Sequence, residues 1–198
     1  MRTNVVLIDF ESVQPDSLAA LEQDHFRVVV FVGATQAKLP FEVVSAIQRM
    51  GQRAEYVKIS GSGPNALDFH IAFYIGQIAA QDPAAFFHII SKDTGFDPLI
   101  RHLKGRHIFA ARSASVAEMP LIKAGSKKAS DARASAFAES LRQPKSTRPR
   151  SEKTLARAVA TYFQKQQLSD EEVAAVIAAM QKAGSVRIAE GKVAYSLG

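Results

Sequence analysis

Apolar and polar positions alternate along the first 120 residues in a way that predicts five strands separated by helices. Short apolar runs rich in β-branched residues or phenylalanine are typical of strands covered on both faces, and they occupy residues 5–8, 27–32, 54–59, 86–90 and 107–110. Helical spacing occupies residues 15–21, 40–50, 66–79 and 98–103. This alternation predicts a three-layer α/β/α (Rossmann-like) domain over residues 1–120, with a mainly parallel sheet.

Two of the predicted helices have apolar residues at spacings that indicate a buried face. In the helix over residues 40–50, this predicted face consists of Phe41, Val44, Ile47 and Gln48. In the helix over residues 66–79, it consists of Leu67, Ile71, Tyr74, Ile75 and Ile78.

Residues 151–198 have the pattern of a second, smaller α+β domain. One helix is predicted over residues 152–166, and Ser169 with Glu172 forms a capping box that begins a second helix ending at Gly184. A hairpin follows around Glu190-Gly191. Two helices and a β-wing suggest a winged-helix-like module that binds either nucleic acid or protein. Because its core is small, docking or formation of a homodimer would support it.

Between these two domains, residues 121–150 hold most of the positive charge of the chain. The chain has a formal net charge of +6, and this segment alone contains eight lysines and arginines against Asp131 and Glu139. Serine, alanine and proline are also frequent here, so we predict a basic flexible linker, helical at most over residues 130–142. It is either a solubilising tether or an arm that contacts phosphates.

Composition limits the chemistry and the surroundings in which the chain works. Cysteine is absent, so a metal ion would be held by oxygen or imidazole ligands. No apolar run reaches the roughly 18 residues of a membrane span, and the first residues lack the pattern of a signal peptide. A cytoplasmic location without membrane contact is therefore the expectation.

Five acidic residues fall where strands end or helices begin, which would bring them to one edge of the predicted sheet. They are Asp9, Glu11, Asp68, Asp93 and Asp97. Carboxylates repel one another, so their convergence indicates a divalent cation or a shared proton. Oxygen ligands suit Mg²⁺ or Mn²⁺. If these side chains repel one another, neutralising Asp9 or Asp93 should leave the metal-free protein equally or more stable.

Each of these residues also has an ordinary structural interpretation. Asp97 precedes a proline and is a candidate helix N-cap, and Asp68 is placed to favour the positive end of a helix dipole. Asp93 suits a turn, and Glu11 suits a solvated loop. Asp9 is the hardest to explain structurally, because a charge directly after a buried strand is costly without a partner.

Three segments resemble the PIN-like nucleases, in particular a bacterial branch near the NYN group. The segments are VVLIDFESVQP, SGSGPNALDFHIAFYIG and IISKDTGFDPLIRHL, and the similarity covers about residues 4–110. Residues 91–96 fit the [ST]-x-D-x-x-F pattern after the fourth strand, and Asp9 fits the Asp that ends the first. Ser12 departs from the pattern, because many relatives carry Asn there, and a positioning role for this residue is then open.

The resemblance implies a metal-dependent ribonuclease with Mg²⁺ or Mn²⁺ as cofactor and RNA as partner. Asp9, Asp68, Asp93 and Asp97 would then be catalytic, and the same four with Glu11 would hold metal. The candidate substrate contacts are Ser12, Ser91, Lys92, Thr94, Arg101, Lys127, Lys128, Arg148 and Arg150.

Two other functions remain open on the sequence. One is a non-catalytic RNA-binding regulator that retains the same fold. The other is a phosphatase of another Rossmann-like family, because Asp9 and Glu11 loosely resemble a D-x-D pair, although no companion motif supports it.

Overall fold

A five-stranded parallel sheet forms the centre of the N-terminal domain in the computed structural model, which describes residues 2–15, 17–143 and 146–197. The strands are β1 (Asn4–Asp9), β2 (Phe26–Val32), β3 (Ala54–Lys58), β4 (Phe86–Ile90) and β5 (Phe109–Ser113). Their order across the sheet is β3-β2-β1-β4-β5. The central strand β1 is buried from its second residue onward, as its unbroken apolar run predicts.

Helices cover both faces of this sheet, which confirms the predicted three-layer fold. They are α1 (Phe41–Met50), α2 (Ala66–Gln81) and α3 (Phe96–Gly105). Side chains of β1 alternate between the layers: Val6 and Ile8 pack with α1, whereas Val5 and Leu7 pack with α2 and α3. Asp9 has the same parity as Val5 and Leu7, so the residue at the end of the strand belongs to the α2 side.

Two details of the helices differ from the prediction. The predicted helix over residues 15–21 is not confirmed in the part of it that the structure describes, residues 15 and 17–21. The regular structure there is one 3₁₀ turn, Ala19–Leu21, because so short a segment cannot offset the cost of helix nucleation. In α1 the buried face contains Val43 and Met50 rather than Phe41, which is 78% exposed. The same spacing rule permits either face, and packing against the sheet selects the one with Val43.

The chain divides into two compact units, residues 1–122 and 123–198. The remaining elements are α4 (Pro120–Arg142), α5 (Glu152–Tyr162), α6 (Asp170–Lys182), β6 (Val186–Ala189) and β7 (Lys192–Tyr195). The capping box of Ser169 and Glu172 is confirmed. The predicted hairpin is confirmed as well, with Glu190 and Gly191 both at positive φ in its two-residue turn.

Helix α4 is much longer than the helical segment predicted inside the linker. It occupies Pro120–Arg142, where a helix over residues 130–142 at most was expected. Ala134, Phe137, Ala138 and Leu141 pack into the core of the second unit. Their i, i+3, i+4, i+7 spacing buries a stripe in which two of the four side chains are only alanine, so the serine- and alanine-rich composition concealed it. No helix in the described ranges has both the length and the apolar character needed to cross a bilayer.

Candidate acidic active site

Asp9 is a buried carboxylate at the carboxyl end of β1, and both of its oxygens accept hydrogen bonds. It is 5% exposed. Its Oδ1 accepts hydrogen bonds from the backbone amides of Glu11 and Ser12 at 3.2 and 3.1 Å. Its Oδ2 accepts one from the Ser91 hydroxyl at 2.7 Å. These donors stabilise the charged form of a group that would otherwise be costly to bury.

The loop after β4 is tied to the loop after β1 by short hydrogen bonds. Ser91 Oγ accepts from the Asp93 amide at 3.0 Å, and Asp93 Oδ1 accepts from the Gly95 amide at 2.7 Å. The Lys92 amide donates to Ser12 Oγ at 2.8 Å. Ser12 therefore connects the two loops through its hydroxyl.

Asp68 brings a further carboxylate to this place from the first turn of α2. The helix begins after Asn65, which has a left-handed backbone with φ of 60°. Burial raises the pKa of the Asp68 carboxyl above its usual range, and the negative charges of Asp93, Asp9 and Glu11 raise it further. Asp68 therefore lies within the electrostatic reach of the other three carboxylates.

Glu11 lies against a glycine at the end of the neighbouring strand. Gly33 follows β2 and is buried, and a Cβ atom added to it would overlap Glu11 Oε1 and crowd the rest of the carboxylate. The absence of a side chain at residue 33 is therefore what makes room for Glu11. This glycine was not predicted as a site residue, because nothing in the local pattern around residue 33 marks it as part of a site.

The four carboxylates line one open cavity at the carboxyl ends of β1 and β4, with a volume of about 490 Å³. Its lining comprises Asp9, Glu11, Ser12, Gly63, Asn65, Ala66, Leu67, Asp68, Lys92 and Asp93. Strands β1 and β4 are neighbours in the sheet, and the chain segments that follow them pack on opposite faces of it. The gap between two such strands is the usual position of a ligand site in parallel α/β folds.

Asp97 is placed differently from the other predicted acidic residues. It does not line the cavity, and the Arg112 guanidinium on β5 binds its carboxylate through bonds of 2.8 and 3.3 Å. This hydrogen bonding lowers the pKa of Asp97. Its interpretation as a helix N-cap is wrong, because Gly95 occupies that position and Asp97 lies within the first turn of α3.

Arg112 is a second residue that the sequence analysis missed. Besides its ion pair with Asp97, it donates from Nη1 to the Ser91 carbonyl oxygen at 3.1 Å. It therefore links α3 to the loop whose serine holds Asp9. The sequence offered one signal for it: Arg112 lies near the carboxyl end of β5, which pairs with β4, and so lies at the same edge of the sheet as the acidic residues.

The remaining predicted substrate contacts are scattered. Thr94 precedes α3, and its carbonyl accepts from the Asp97 amide at 2.9 Å. Arg101 is exposed on α3. In the second unit, Lys127 and Lys128 are exposed on α4, Arg148 donates to the Leu141 carbonyl at 3.3 Å, and the Arg150 carbonyl accepts from the Val193 amide at 3.0 Å.

A hard divalent cation fits the chemistry of the cavity. All its charged acceptors are carboxylates. Burial, followed by the negative charges of Asp93, Asp9 and Glu11, raises the pKa of Asp68, and a bound cation or a proton would relieve both effects. Within residues 2–15, 17–143 and 146–197, however, no three acidic or histidine side chains are close enough to hold one ion together. The carboxylates therefore surround the cavity without forming a closed coordination shell.

A parallel sheet with acidic side chains at the ends of two neighbouring strands places the domain in the class of α/β folds with an acidic ligand site at the sheet edge. A family model described as PIN domain matches residues 3–112. The chain belongs to the PIN domain family, whose members are generally nucleases that use divalent metals and act on RNA. Comparisons with curated proteins and with solved structures give no match.

Proposed function

We propose that this protein is a Mg²⁺- or Mn²⁺-dependent ribonuclease whose reaction takes place in the acidic cavity. The main support is the convergence of Asp9, Glu11, Asp68 and Asp93 on one cavity, together with the raised pKa of Asp68. In this proposal Asp9, Asp68 and Asp93 hold the cation partly through water molecules, because no three acidic side chains in the described part of the chain are close enough to hold it directly. Glu11 contributes from the Gly33 side.

A bound cation would make the attacking water more acidic and neutralise charge on the scissile phosphate. The protein's own part is to hold the carboxylates in place. Ser91 and the amides after β1 orient Asp9, while the bond from the Gly95 amide orients Asp93. Lys92 lines the same cavity and is placed to meet a phosphate. Asp97 is proposed here as a positioning residue that acts through Arg112, in place of its predicted role as a ligand.

The other parts of the chain complete the proposal. Ser12, Thr94 and Arg101 are candidates for contacts near the cavity, and Lys127, Lys128, Arg148 and Arg150 for phosphate contacts of the second unit. The second unit would bind RNA or another protein chain as a winged-helix-like module, with a homodimer as one arrangement. A relationship to the NYN group and a cytoplasmic location also belong to this proposal.

Cleavage of labelled RNA with and without Mg²⁺ or Mn²⁺ tests the proposed reaction. The wild type should cleave only with metal, and Asp93→Asn should abolish cleavage while the far-ultraviolet circular dichroism stays unchanged. Asp131→Asn is the matched control, because it removes the same charge from an exposed helical position outside the cavity. Metal-independent cleavage, or full activity of Asp93→Asn, would contradict the proposal.

A non-catalytic RNA-binding regulator is the second candidate, and one observation favours it. In the described part of the chain the carboxylates do not form a group of three that could hold an ion as they stand. Under this alternative, several RNAs would bind with either metal present and none would be cut. Asp93→Asn would then leave RNA affinity unchanged or raise it, because the variant removes a negative charge that repels phosphate.

A further inference from the structure

Two phenylalanine side chains stand in solvent on α2, directly beside the acidic cavity. Phe69 is 70% exposed and Phe73 is 64% exposed. They are one helical turn apart and therefore share a face of the helix. The opposite face is already the buried one, with Leu67, Ile71 and Ile75 in the core. Helix α2 is thus apolar on nearly all sides although one side faces water, which is unusual for a surface helix.

These rings line a groove of about 470 Å³ together with Lys58, Ser60, His70 and Tyr74. Tyr74 supports the groove from below, since its ring contacts Phe73 edge-on at 5.9 Å and the core residue Phe31 at 5.1 Å. Lys58 ends β3 and places a positive charge at the groove. The groove therefore combines flat apolar surfaces with one cation.

His70 gives the same groove a hydrogen-bonding group. Its Nδ1 lies 2.7 Å from the Ala66 carbonyl oxygen, which can only accept, so Nδ1 carries a proton. In the neutral ring, Nε2 is then left as an acceptor. This arrangement suits a flat molecule whose edge donates hydrogen bonds, such as a nucleobase.

We propose that this groove, defined by Phe69 and Phe73, stacks two consecutive unpaired bases of a single-stranded nucleic acid while Lys58 contacts a phosphate. That this nucleic acid is the substrate of the protein rests on the proposed nuclease function. Asp68 lines the acidic cavity, and Phe69, the next residue of the same helix, lines the groove, so the two sites are close enough for one strand to reach both. Unpaired bases are required, because both faces of a base are already covered inside a duplex.

Charge explains why stacking is needed at this place. The cavity is lined by four carboxylates and only one lysine, so it repels the phosphates of an incoming strand. Contacts to bases provide affinity that phosphate contacts cannot supply there, and they tolerate any sequence because every base has a flat face.

Binding of two fluorescent strands of equal length tests the inference, one with bases and one abasic, in EDTA so that no cleavage occurs. The wild type should prefer the strand with bases. Phe69→Ala and Phe73→Ala should each weaken that binding by about tenfold and leave binding of the abasic strand unchanged. Phe73→Trp should retain the preference. Phe41→Ala is the matched control, because Phe41 is 78% exposed on α1 in the opposite layer and should have no effect.

The outcomes separate this inference from the proposed ribonuclease activity. Equal affinity of the wild type for both strands, binding of neither, or equal weakening of both by the alanine variants would overturn the inference. So would conversion of a dimer into a monomer by Phe69→Ala with RNA binding unchanged, since the face would then be an interface between two copies. A base-dependent preference in EDTA, with no cleavage when Mg²⁺ or Mn²⁺ is supplied, would support the groove and contradict the nuclease. If both alanine variants retain cleavage and RNA binding unchanged, the nuclease would be supported and the groove contradicted.

Discussion

The Ser91 hydroxyl donates a 2.7 Å hydrogen bond to the carboxylate of Asp9 and thereby joins the ends of two neighbouring strands. Ser91 is fully buried, and Asp9 is 5% exposed. The same oxygen of Ser91 accepts from the Asp93 amide, so one hydroxyl contacts both residues that the sequence analysis placed at the centre of the site. The geometry of this site depends on a residue that itself carries no charge.

Replacement of Ser91 by alanine should therefore lower both stability and activity. The variant leaves a buried carboxylate oxygen and a backbone amide without a partner, which costs about 1–3 kcal/mol. Thermal denaturation monitored by circular dichroism gives the stability. Ser130→Ala is the control, because Ser130 is buried but bonds only to its own helix through the Ser126 carbonyl. A loss no larger than that of the control would mean that Ser91 does not hold the site together.

Neutralisation of Asp68 and of Asp9 should change stability in opposite directions. The pKa of the Asp68 carboxyl is raised in the folded chain above its ordinary value of 3.8. The stability that protonation of Asp68 provides is therefore fully present below pH 3.8 and is lost as the pH rises above that value. Asp68→Asn should then stabilise the metal-free protein near pH 7 by no more than about 1 kcal/mol, since the group is partly solvated. That gain should disappear below pH 3.8.

Asp9→Asn should instead destabilise the metal-free protein by about 1–2 kcal/mol, because three hydrogen bonds favour the charged carboxylate. This replaces the expectation from sequence that neutralising Asp9 leaves the metal-free protein equally or more stable. Mn²⁺ should stabilise the wild type increasingly as its concentration rises, and both variants should lose this stabilisation. Denaturation at pH 3.5 and pH 7 with EDTA or Mn²⁺ gives all these quantities. Destabilisation of Asp68→Asn at pH 7 would contradict the mutual repulsion of the carboxylates.

Most of the fold was predictable from the sequence because it depends on local periodicity. The five apolar runs gave all five strands, and Ser169 with Glu172 gave the start of α6. Helix α4 was underestimated because its buried stripe contains small residues such as Ala134 and Ala138, which also occur in linkers. Residues 107–110 were placed in a strand that in fact runs from Phe109 to Ser113, after His107 with φ of 60°.

From the sequence, the site residues could be predicted only where they lie at the end of a strand or the start of a helix. Asp9, Asp68 and Asp93 fall at such positions and do line one cavity. Arg112 and Gly33 act through contacts between elements that are distant along the chain, and sequence spacing carries no information about such contacts. For the same reason the sequence did not show that Asp97 is bound by an arginine.

Gly33→Ala should disturb Glu11 and little else. The added methyl group overlaps the end of the Glu11 side chain, which can rotate away, so the loss of stability should stay below about 1 kcal/mol. The concentration of Mn²⁺ needed for half-maximal stabilisation should rise several-fold if Glu11 helps to hold the ion. In a Glu11→Ala background the same glycine change should have no further effect, since the overlap is gone.

Gly76→Ala provides the control for this experiment. Gly76 lies in the interior of α2 with nothing within 4 Å of an added Cβ atom. Alanine should therefore stabilise the protein by about 0.5–1 kcal/mol without changing its response to Mn²⁺. Equal Mn²⁺ responses of Gly33→Ala and the wild type would show that Glu11 takes no part in holding the ion.

Arg112→Lys should reduce cleavage through the position of the loop after β4. Lysine retains the charge but cannot form the forked contact with Asp97 and the further bond to Ser91. Loss of such supporting contacts typically costs about 10- to 100-fold in metal affinity or activity. The Mn²⁺ requirement should rise together with the loss of rate, and Asp97→Asn should add little in the lysine background. Arg27→Lys, which affects an exposed pair with Glu55, should leave the rate unchanged.

Replacement of Lys127, Lys128, Arg148 and Arg150 by glutamine should flatten the salt dependence of RNA binding. Each phosphate contact to a single strand contributes about 0.7 to the slope of log K against log salt, so loss of four contacts reduces the slope by up to about 3. Fluorescence anisotropy at several salt concentrations measures this slope. Lys38→Gln with Lys104→Gln, both exposed in the N-terminal domain, controls for a general loss of charge. An unchanged slope in the quadruple variant would mean that these four side chains do not contact phosphates, since they would release no counterions.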